Sequence, residues 1–439
     1  MTLKITMIGT GYVGLVSGAC FAEMGLDVTC MDIDAEKIRK LKENGEIPIY
    51  EPGLAELVAR NVKAGRLHFT TDLATCVPHS QAVFIGVGTP QDEDGSADMK
   101  YVLAAASDVA KHMRDYMVIV NKSTVPVGTG KRVEDMVRQT NPAAKFDVVS
   151  NPEFLREGCA VEDFLKPDRV VVGVPNEESL TVMRRIYGPL TDKGVPLVVT
   201  NRESSEMIKY AANAFLAVKI TFINEMARLC DVVGADVMAL SHGMGLDSRI
   251  GERFLQAGPG YGGSCFPKDT NAIAKTARDH NCPLPIIETT IKSNQAIKES
   301  MADRVVAAMG GNVQGKRIAV LGLAFKAGTD DMRDASALTI LPKLKAMGAD
   351  VHAFDPAAME RAKELMPTMT YHNDMWSTLA GADAAVVLTE WPEFKTMDLG
   401  KVKDSLRTPM LVDLRNLYSA EAAKAKGLGY VCVGRAHTA

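Results

Sequence analysis

At 439 residues the chain is too long for one ordinary hydrophobic core, and two or three domains are expected. Hydrophobic residues make up 46% and charged residues 24%, a globular balance that excludes a largely disordered chain. The formal net charge of −4 gives no general pull towards nucleic acid or an anionic membrane, although a few placed bases could still hold a polyanionic ligand.

Lys4-Ile5-Thr6-Met7-Ile8 reads as a short apolar strand ending at Gly9. Residues 12 to 25 follow at helical spacing through Val13, Val16, Ala19, Cys20 and Met24, and Gly25 stops the helix. Asp27 to Asp32 is a second strand, so the pair must be parallel with a right-handed crossover. Ala82–Gly86, Met117–Val120, Asp147–Ser150 and Val170–Gly173 are further strand candidates with helical patterns between them. From Glu203-Ser204-Ser205-Glu206, which carry capping-type residues, the chain runs through Met207 to Val233 without proline or glycine. That spacing predicts a helix about 40 Å long. Ile208, Ala211, Ala212, Phe215, Val218, Phe222, Ile223 and Met226 make it apolar on several faces, so it is expected to link two domains and to pack against a second subunit. Gly315–Gly322 then restarts the strand-to-glycine pattern, and Asp350–Asp355, Ala384–Leu388 and Met410–Asp413 complete a second parallel set. This half has Gly322-Leu323-Ala324-Phe325-Lys326 where the first has its glycine fingerprint, as a mononucleotide-type fold adapted to another ligand would. The expected architecture is α/β: two doubly wound, Rossmann-like parallel-sheet domains (1–200 and 311–439) joined by a long central helix and a helical domain (201–310).

Gly9-Thr10-Gly11-Tyr12-Val13-Gly14 follows a strand and opens a helix. Its glycines serve a tight turn, close approach of backbone to a pyrophosphate, and close packing of helix on strand. The helix start then offers free N–H groups to the phosphates. Asp32 ends the next strand 18 residues after Gly14, where a carboxylate accepts from the adenosine ribose and repels a 2′-phosphate; NAD is favoured over NADP.

Four glycines lie in Gly258-Pro259-Gly260-Tyr261-Gly262-Gly263-Ser264-Cys265-Phe266-Pro267-Lys268-Asp269 and let backbone approach a ligand. A cation beside a thiol raises its thiolate fraction, and Lys268 supplies one; a structural cysteine at a loop end fits these residues as well. Lys209 and Asn213 share a helix face and could hold an alkoxide or oxyanion, or form a solvated polar stripe. Asn151-Pro152-Glu153-Phe154-Leu155-Arg156-Glu157-Gly158 follows a strand, at the end of a parallel sheet that lines ligand crevices. Glu153 and Glu157 are either acid/base or positioning groups there, or first-turn acids of a helix.

The eight cysteines (Cys20, Cys30, Cys76, Cys159, Cys230, Cys265, Cys282 and Cys432) are scattered without CxxC and read as reduced, cytosolic thiols. The histidines form no HxxxH or Cys/His cluster, so no metal site is expected. No secretory signal is read at Met1-Thr2-Leu3-Lys4, no apolar run reaches the roughly 18 residues of a membrane helix, and a cytoplasmic protein is expected.

In order and over essentially the whole chain, several runs resemble the UDP-glucose/GDP-mannose dehydrogenase family. They are Gly9–Leu15, Pro48-Ile49-Tyr50-Glu51-Pro52-Gly53-Leu54, Gly88-Thr89-Pro90, Lys122-Ser123-Thr124-Val125-Pro126, Asn151–Gly158, Lys209 with Asn213, Gly262–Asp269, Ala324-Phe325-Lys326 with Asp330-Asp331-Met332-Arg333, and Asp413-Leu414-Arg415. Ser264–Asp269 is more like the UDP-glucose group than the groups acting on GDP-mannose or UDP-N-acetylmannosamine. The resemblance implies a four-electron oxidation of UDP-glucose to UDP-glucuronate with two NAD. Cys265 would form a thiohemiacetal and then a thioester, with Lys209 and Asn213 at the oxyanion. Asp269, acting through water, or Lys209 would be the first base, and Asp269 or Glu153 the base for hydrolysis; Thr124 is a further catalytic candidate. Gly9, Gly11, Tyr12, Val13, Gly14, Asp32, Lys37, Thr89, Thr124, Glu157, Lys268 and Arg333 would contact NAD. Glu153, Phe154, Leu155, Lys209, Asn213, Arg249, Phe254, Tyr261, Gly262, Phe325, Lys326 and Arg415 would hold the sugar nucleotide, Arg249 from a partner subunit. A homodimer or a larger assembly of dimers is implied.

Two rivals stay open on the sequence. A two-electron hydroxyacid dehydrogenase could use the same Lys/Asn pair, but has no need of Cys265 or of the last domain. A catalytically silent NAD-binding protein has no need of Cys265, Lys209 and Asp269 together.

Overall fold

Lys4–Ile8 (β1) is buried at four of its five positions, on both faces, as the centre of a covered parallel sheet requires. The structure, a computed structural model, describes residues 2–43, 45–92 and 94–435. Ala436 to Ala439 of the expected last part lie outside the described residues.

The chain divides into two compact units, Met1–Ala212 with Lys275–Cys282, and Asn213–Ala274 with Pro283–Ala439. Of residues 201–310, 201–212 and 275–282 fall in the first unit and the rest in the second.

In the first unit β1 is followed by Asp27–Met31 (β2), Leu67–Thr70 (β3), Ala82–Ile85 (β4), Met117–Asn121 (β5), Phe146–Ser150 (β6), Val170–Gly173 (β7) and Leu197–Thr200 (β8). They form one eight-stranded sheet in the order β3-β2-β1-β4-β5-β6-β7-β8. The first six strands are parallel and the winding reverses between β1 and β4. Successive residues of β4 face opposite layers: Phe84 joins Leu15, Val16 and Phe21 on one side, and Val83 and Ile85 join Val102, Val109 and Val133 on the other. One strand departs from the parallel expectation. β7 runs antiparallel to β6, meeting it at Ser150 and Gly173, and then pairs in parallel with β8.

The second unit repeats the plan. Arg317–Leu321 (β9), Asp350–Phe354 (β10), Thr370–Tyr371 (β11), Ala384–Val387 (β12), Met410–Asp413 (β13) and Gly429–Cys432 (β14) form a parallel sheet in the order β11-β10-β9-β12-β13-β14. Counted from its own first strand, that is the order of the first six strands of the other sheet. Ile318, Val320 and Val386 enter one layer, and Ala319, Leu321 and Val387 the other.

The long helix is Arg202–Val233, 32 residues or about 48 Å. It begins five residues before the expected Met207, because the Asn201 side chain accepts from the Ser204 N–H at 2.7 Å and caps an earlier turn. Gly234, at φ 77°, ends it. Unit membership changes inside this helix, between Ala212 and Asn213.

Candidate active site

β1 runs into a turn that side chains would obstruct. Gly9 has φ 97°, and a Cβ there would lie 2.8 Å from the Gly86 carbonyl oxygen. A Cβ on Gly14 would lie 2.0 Å from the Gly9 carbonyl oxygen. A Cβ on Gly11, by contrast, would meet nothing within 4 Å. Gly9 and Gly14 are therefore glycine for internal packing, whereas Gly11 leaves a bare backbone open to a ligand. The helix that follows, Tyr12–Glu23, has no side-chain cap, so its first N–H groups are available to an anion. These features fit a dinucleotide pyrophosphate.

Asp32, just past β2, accepts from the Thr10 N–H and hydroxyl, both at 2.8 Å, and from the Asp34 N–H at 3.0 Å; Lys37 Nζ is 3.5 Å away. Burial pushes its carboxyl up, but those donors and Lys37 outweigh burial and hold it below the usual range. Thr89 donates its hydroxyl to the Thr124 carbonyl at 3.0 Å, tying two strand ends together. The Tyr12 hydroxyl is committed to buried Glu51, which also accepts from the Gly158 and Ala160 N–H groups at 2.7 Å each.

Beyond β6, Glu153 is buried and 3.0 Å from Lys209 Nζ, itself buried. Burial raises the Glu153 pKa, but Lys209, the Leu155 N–H and Lys122 together bring it below the usual value. Two cations lie near the Phe154 ring, the Arg169 guanidinium 3.6 Å and Lys209 Nζ 5.3 Å from its centre. Lys122 is buried too; it donates to Asn151 Oδ1 at 3.1 Å and lies 3.3 Å from the Tyr187 hydroxyl. Burial, aided by Lys209, pushes its pKa down to about 8. A cavity of about 10 Å³, lined by Asn121, Ser123, Val125, Ser150, Pro152, Glu206 and Lys209, adjoins this group. That is about the space of one water.

In the second unit Cys265 is half-buried and immediately precedes the helix Phe266–Asp279. A helix start attracts negative charge, which suits a thiolate nucleophile. The Ser264 hydroxyl is 3.5 Å from the sulfur. Asp269 is buried, with one oxygen accepting from Asn213 Nδ2 at 2.6 Å and the other from Lys268 Nζ at 2.7 Å. Lys209 thus pairs with Glu153, and Asn213 donates to Asp269. Phe254 and Tyr261 both place their rings 6.1 Å from that of Phe266, beside the cysteine. Phe254 holds φ 66°, strained for a bulky residue.

The second sheet uses the same turn for another purpose. Gly322 has φ 97°, and its Cβ would meet the Thr389 side chain at 2.5 Å, much as Gly9 meets Gly86. Asp355 stands where Asp32 stands in the first sheet, but it is fully buried. It accepts from the N–H groups of Leu323, Ala324, Ala357 and Ala358 and from the Trp391 indole at 3.2 Å. Such a carboxylate has no face left for a ribose. Arg415 donates to the carbonyls of Leu388 and Phe325 at 2.7 and 3.0 Å and lies 3.2 Å from Glu390. Lys326 Nζ lies 5.5 Å from the Phe325 ring centre.

Three successive stretches match the domain models of one family, the UDP-glucose/GDP-mannose dehydrogenase family. Its NAD binding domain matches residues 3–191, its central domain 203–296 and its UDP binding domain 319–420. The chain belongs to this family. It is 54% identical to a UDP-glucose 6-dehydrogenase of Rhizobium meliloti (strain 1021) over 99% of this chain and 100% of that one. It is 50% identical to one of Bacillus subtilis (strain 168) over 98% and 93%. Among solved structures, a UDP-glucose dehydrogenase from the archaeon Pyrobaculum islandicum superposes with a TM-score of 0.91 at 36% identity, covering 99% of this chain and 98% of that one. The family's NAD binding domain holds the Gly9–Gly14 turn with Val13, Asp32, Lys37, Thr89, Thr124, Glu153, Leu155 and Glu157, and NAD is the cofactor. Lys209, Asn213, Arg249, Cys265, Lys268 and Asp269 lie in its central domain, and Phe325, Lys326, Arg333 and Arg415 in its UDP binding domain.

Two expected ligand arginines are exposed and hold neighbouring aspartates: Arg249 is 3.0 Å from Asp247, and Arg333 is 2.8 Å from Asp331. Sequence reading singled out neither Glu51 nor Lys122, although both sit in the runs that carry the family resemblance. Glu206, expected only among the capping-type residues of the long helix, accepts instead from the N–H groups of Gly128 and Gly130 at 2.7 and 2.8 Å at the start of the helix Thr129–Thr140. For Lys122 the signal was present, since a base at the end of a buried apolar run needs a partner.

Among the described residues no group of three or more His, Cys, Asp and Glu is placed to hold a metal. No helix of theirs is long and apolar enough to cross a membrane.

Proposed function

We propose that this chain oxidises UDP-glucose to UDP-glucuronate, with Cys265 as covalent catalyst. The observation that carries the reading is that one chain has both an NAD-type glycine turn and, in its second unit, a half-buried cysteine at a helix start beside an Asp269 already gripped by Lys268 and Asn213. Bound NAD accepts a hydride, once from the alcohol and once from the aldehyde stage.

For the first stage Asp269, through a water, takes the proton of the C6 hydroxyl, and the Lys209 ammonium stabilises the alkoxide. An aldehyde has no hydride to give until a nucleophile adds to its carbonyl. The Cys265 thiolate forms the S–C bond, and the carbonyl electron pair moves to an oxyanion held by Lys209 and Asn213. Loss of hydride from that carbon restores the C=O as a thioester. Water activated by Asp269 or by ionised Glu153 then adds, the C–S bond breaks, and carboxylate and thiol are released. Thr124 supports this chemistry from the end of β5. Overall, alcohol, two NAD+ and water become carboxylate, two NADH and three protons.

In the same reading Gly9, Gly11, Tyr12, Val13, Gly14, Asp32, Lys37, Thr89, Thr124, Glu157, Lys268 and Arg333 serve NAD. Phe154, Leu155, Phe254, Tyr261, Gly262, Phe325, Lys326 and Arg415 serve the sugar nucleotide, with Arg249 supplied by a second copy. Phe215, Phe222 and Leu229, at a seven-residue spacing on the long helix, are 64%, 42% and 52% exposed, and a second copy is what we propose covers them. Eight cysteines outside any disulfide suit a reducing compartment, and we place the reaction in the cytoplasm.

The test is a count of product. With limiting UDP-glucose and excess NAD, two NADH per sugar are expected; one per sugar would end the reaction at the aldehyde and remove the role given to Cys265.

A further inference from the structure

We propose that Asn294 and Lys298, one turn apart on the helix Pro285–Ala308, are positioning residues that clamp the cysteine loop in attacking register. This rests on the role of Cys265 proposed above.

The buried stripe of that helix is Thr290, Asn294, Ile297, Lys298, Met301, Ala302 and Val305, so an amide and an ammonium occupy places where a core asks for apolar side chains. Both are spent on the loop or on its neighbour. Asn294 Oδ1 accepts from the Tyr261 N–H at 2.9 Å, and its Nδ2 donates to the Tyr261 carbonyl at 3.0 Å. One side chain thus satisfies both backbone groups of the residue four places before Cys265. Lys298 is 1% exposed and donates to the Asp334 carbonyl at 2.9 Å, with the Asp334 carboxylate at 3.0 Å. Asp334 holds φ 49°, a left-handed conformation that costs a non-glycine residue and needs such support.

The two loops interlock. Gly263 N–H donates to the Arg333 carbonyl at 2.8 Å, and Ser336 donates its hydroxyl to the Pro259 carbonyl at 2.8 Å. Three loop glycines leave no room to drift. A Cβ on Gly260 would lie 2.9 Å from Asn294 Oδ1, one on Gly262 2.3 Å from the Asp334 oxygen, and one on Gly263 2.8 Å from the Phe325 ring. Asn294 and Lys298, on one helix, therefore tie the segment that carries the thiol to the segment that carries Arg333.

Thiolate addition is the step most sensitive to that register, since a 1 Å misplacement costs about 10²-fold. Hydride loss from the alcohol does not use the sulfur. Loosening the clamp should therefore slow the second oxidation and spare the first.

The experiment is a rapid-mixing measurement of NADH formation by the full chain, wild type against Asn294→Ala and Lys298→Met. It is joined to the rate at which iodoacetamide alkylates Cys265 in a Cys159→Ser/Cys282→Ser background. The expected result is a second NADH phase slowed about 10²-fold, a first phase within about threefold of wild type, and an altered alkylation rate. Two phases that slow together would mean general structural damage, and two unchanged phases would mean no clamp; either overturns the proposal. Should Asn294→Ala fail to fold, Asn294→Asp keeps the size but has no N–H for the Tyr261 carbonyl, and the same reading applies. A wild-type count of one NADH per sugar would instead sink the four-electron reading, and the alkylation rates would then decide the clamp alone: unchanged rates reject it.

Discussion

Lys122 shows how a single buried charge sets a dependence on pH. Its folded pKa of about 8 lies below the ordinary 10.5, because burial disfavours the ammonium. Between those values the unfolded chain holds a proton that the folded chain lacks, so stability rises with pH across this window. Below pH 8 the full cost is present, about 3 kcal/mol. Lys122→Met has no such proton. Urea midpoints of both proteins at pH 7.5 and pH 10.5 should show wild type gaining on the variant; a constant difference would contradict the buried, shifted lysine. At Cys265 the expected effect is on chemistry. Cys265→Ser should lower UDP-glucuronate formation by a factor on the order of 10³ or more while the chain still binds NAD. Product formation and NAD titration by fluorescence read the two separately, and full turnover by the serine variant would remove the covalent step.

At the scale of elements, the long helix has the most to expose. Phe215, Phe222 and Leu229 form one stripe on it, and a partner helix would bury apolar side chains worth about 2 kcal/mol each. Phe222→Asp should shift the sedimentation coefficient from that of an assembly to that of a single chain at micromolar concentration, and an unaltered coefficient would place the interface elsewhere. The sequence announced this helix clearly, since nothing between Met207 and Val233 could break it. It announced most strands just as clearly, as short apolar runs often bounded by glycine: β1, β2, β4, β5, β6, β7, β9, β10, β12 and β13. It was silent on β3, β8, β11 and β14, which lie at or near sheet edges. Leu197–Thr200 has two exposed residues of four and Thr370–Tyr371 is two residues long, too little alternation to read. The reversal of β7 was hidden for another reason. Val170–Gly173 is buried at all four positions, and a strand buried on both faces reads the same in either direction.

For the whole molecule, the family and its chemistry were legible because reactive residues sit in loops with fixed glycine spacing. What supports those residues was not. Asn294 and Lys298 lie in a helix with no glycine punctuation, and their partners Tyr261 and Asp334 are 33 and 36 residues away in sequence. Asp355 ends its strand as Asp32 does, and only its five donors distinguish a structural pin from a ligand group.

The division into units bears on how the chain is made. Lys275–Cys282 belongs with Met1–Ala212, so the first unit is interrupted by the 62 residues of Asn213–Ala274. A ribosome that has delivered residue 212 has not yet delivered the last piece of that unit. All eight strands of the first sheet have emerged by then, but Lys275, 3.7 Å from Asp94 in the fold, has still to arrive, and a stretch destined for the other unit emerges first. Vectorial synthesis therefore cannot finish the two units one after the other, and the nascent chain spends that interval with its first fold one segment short.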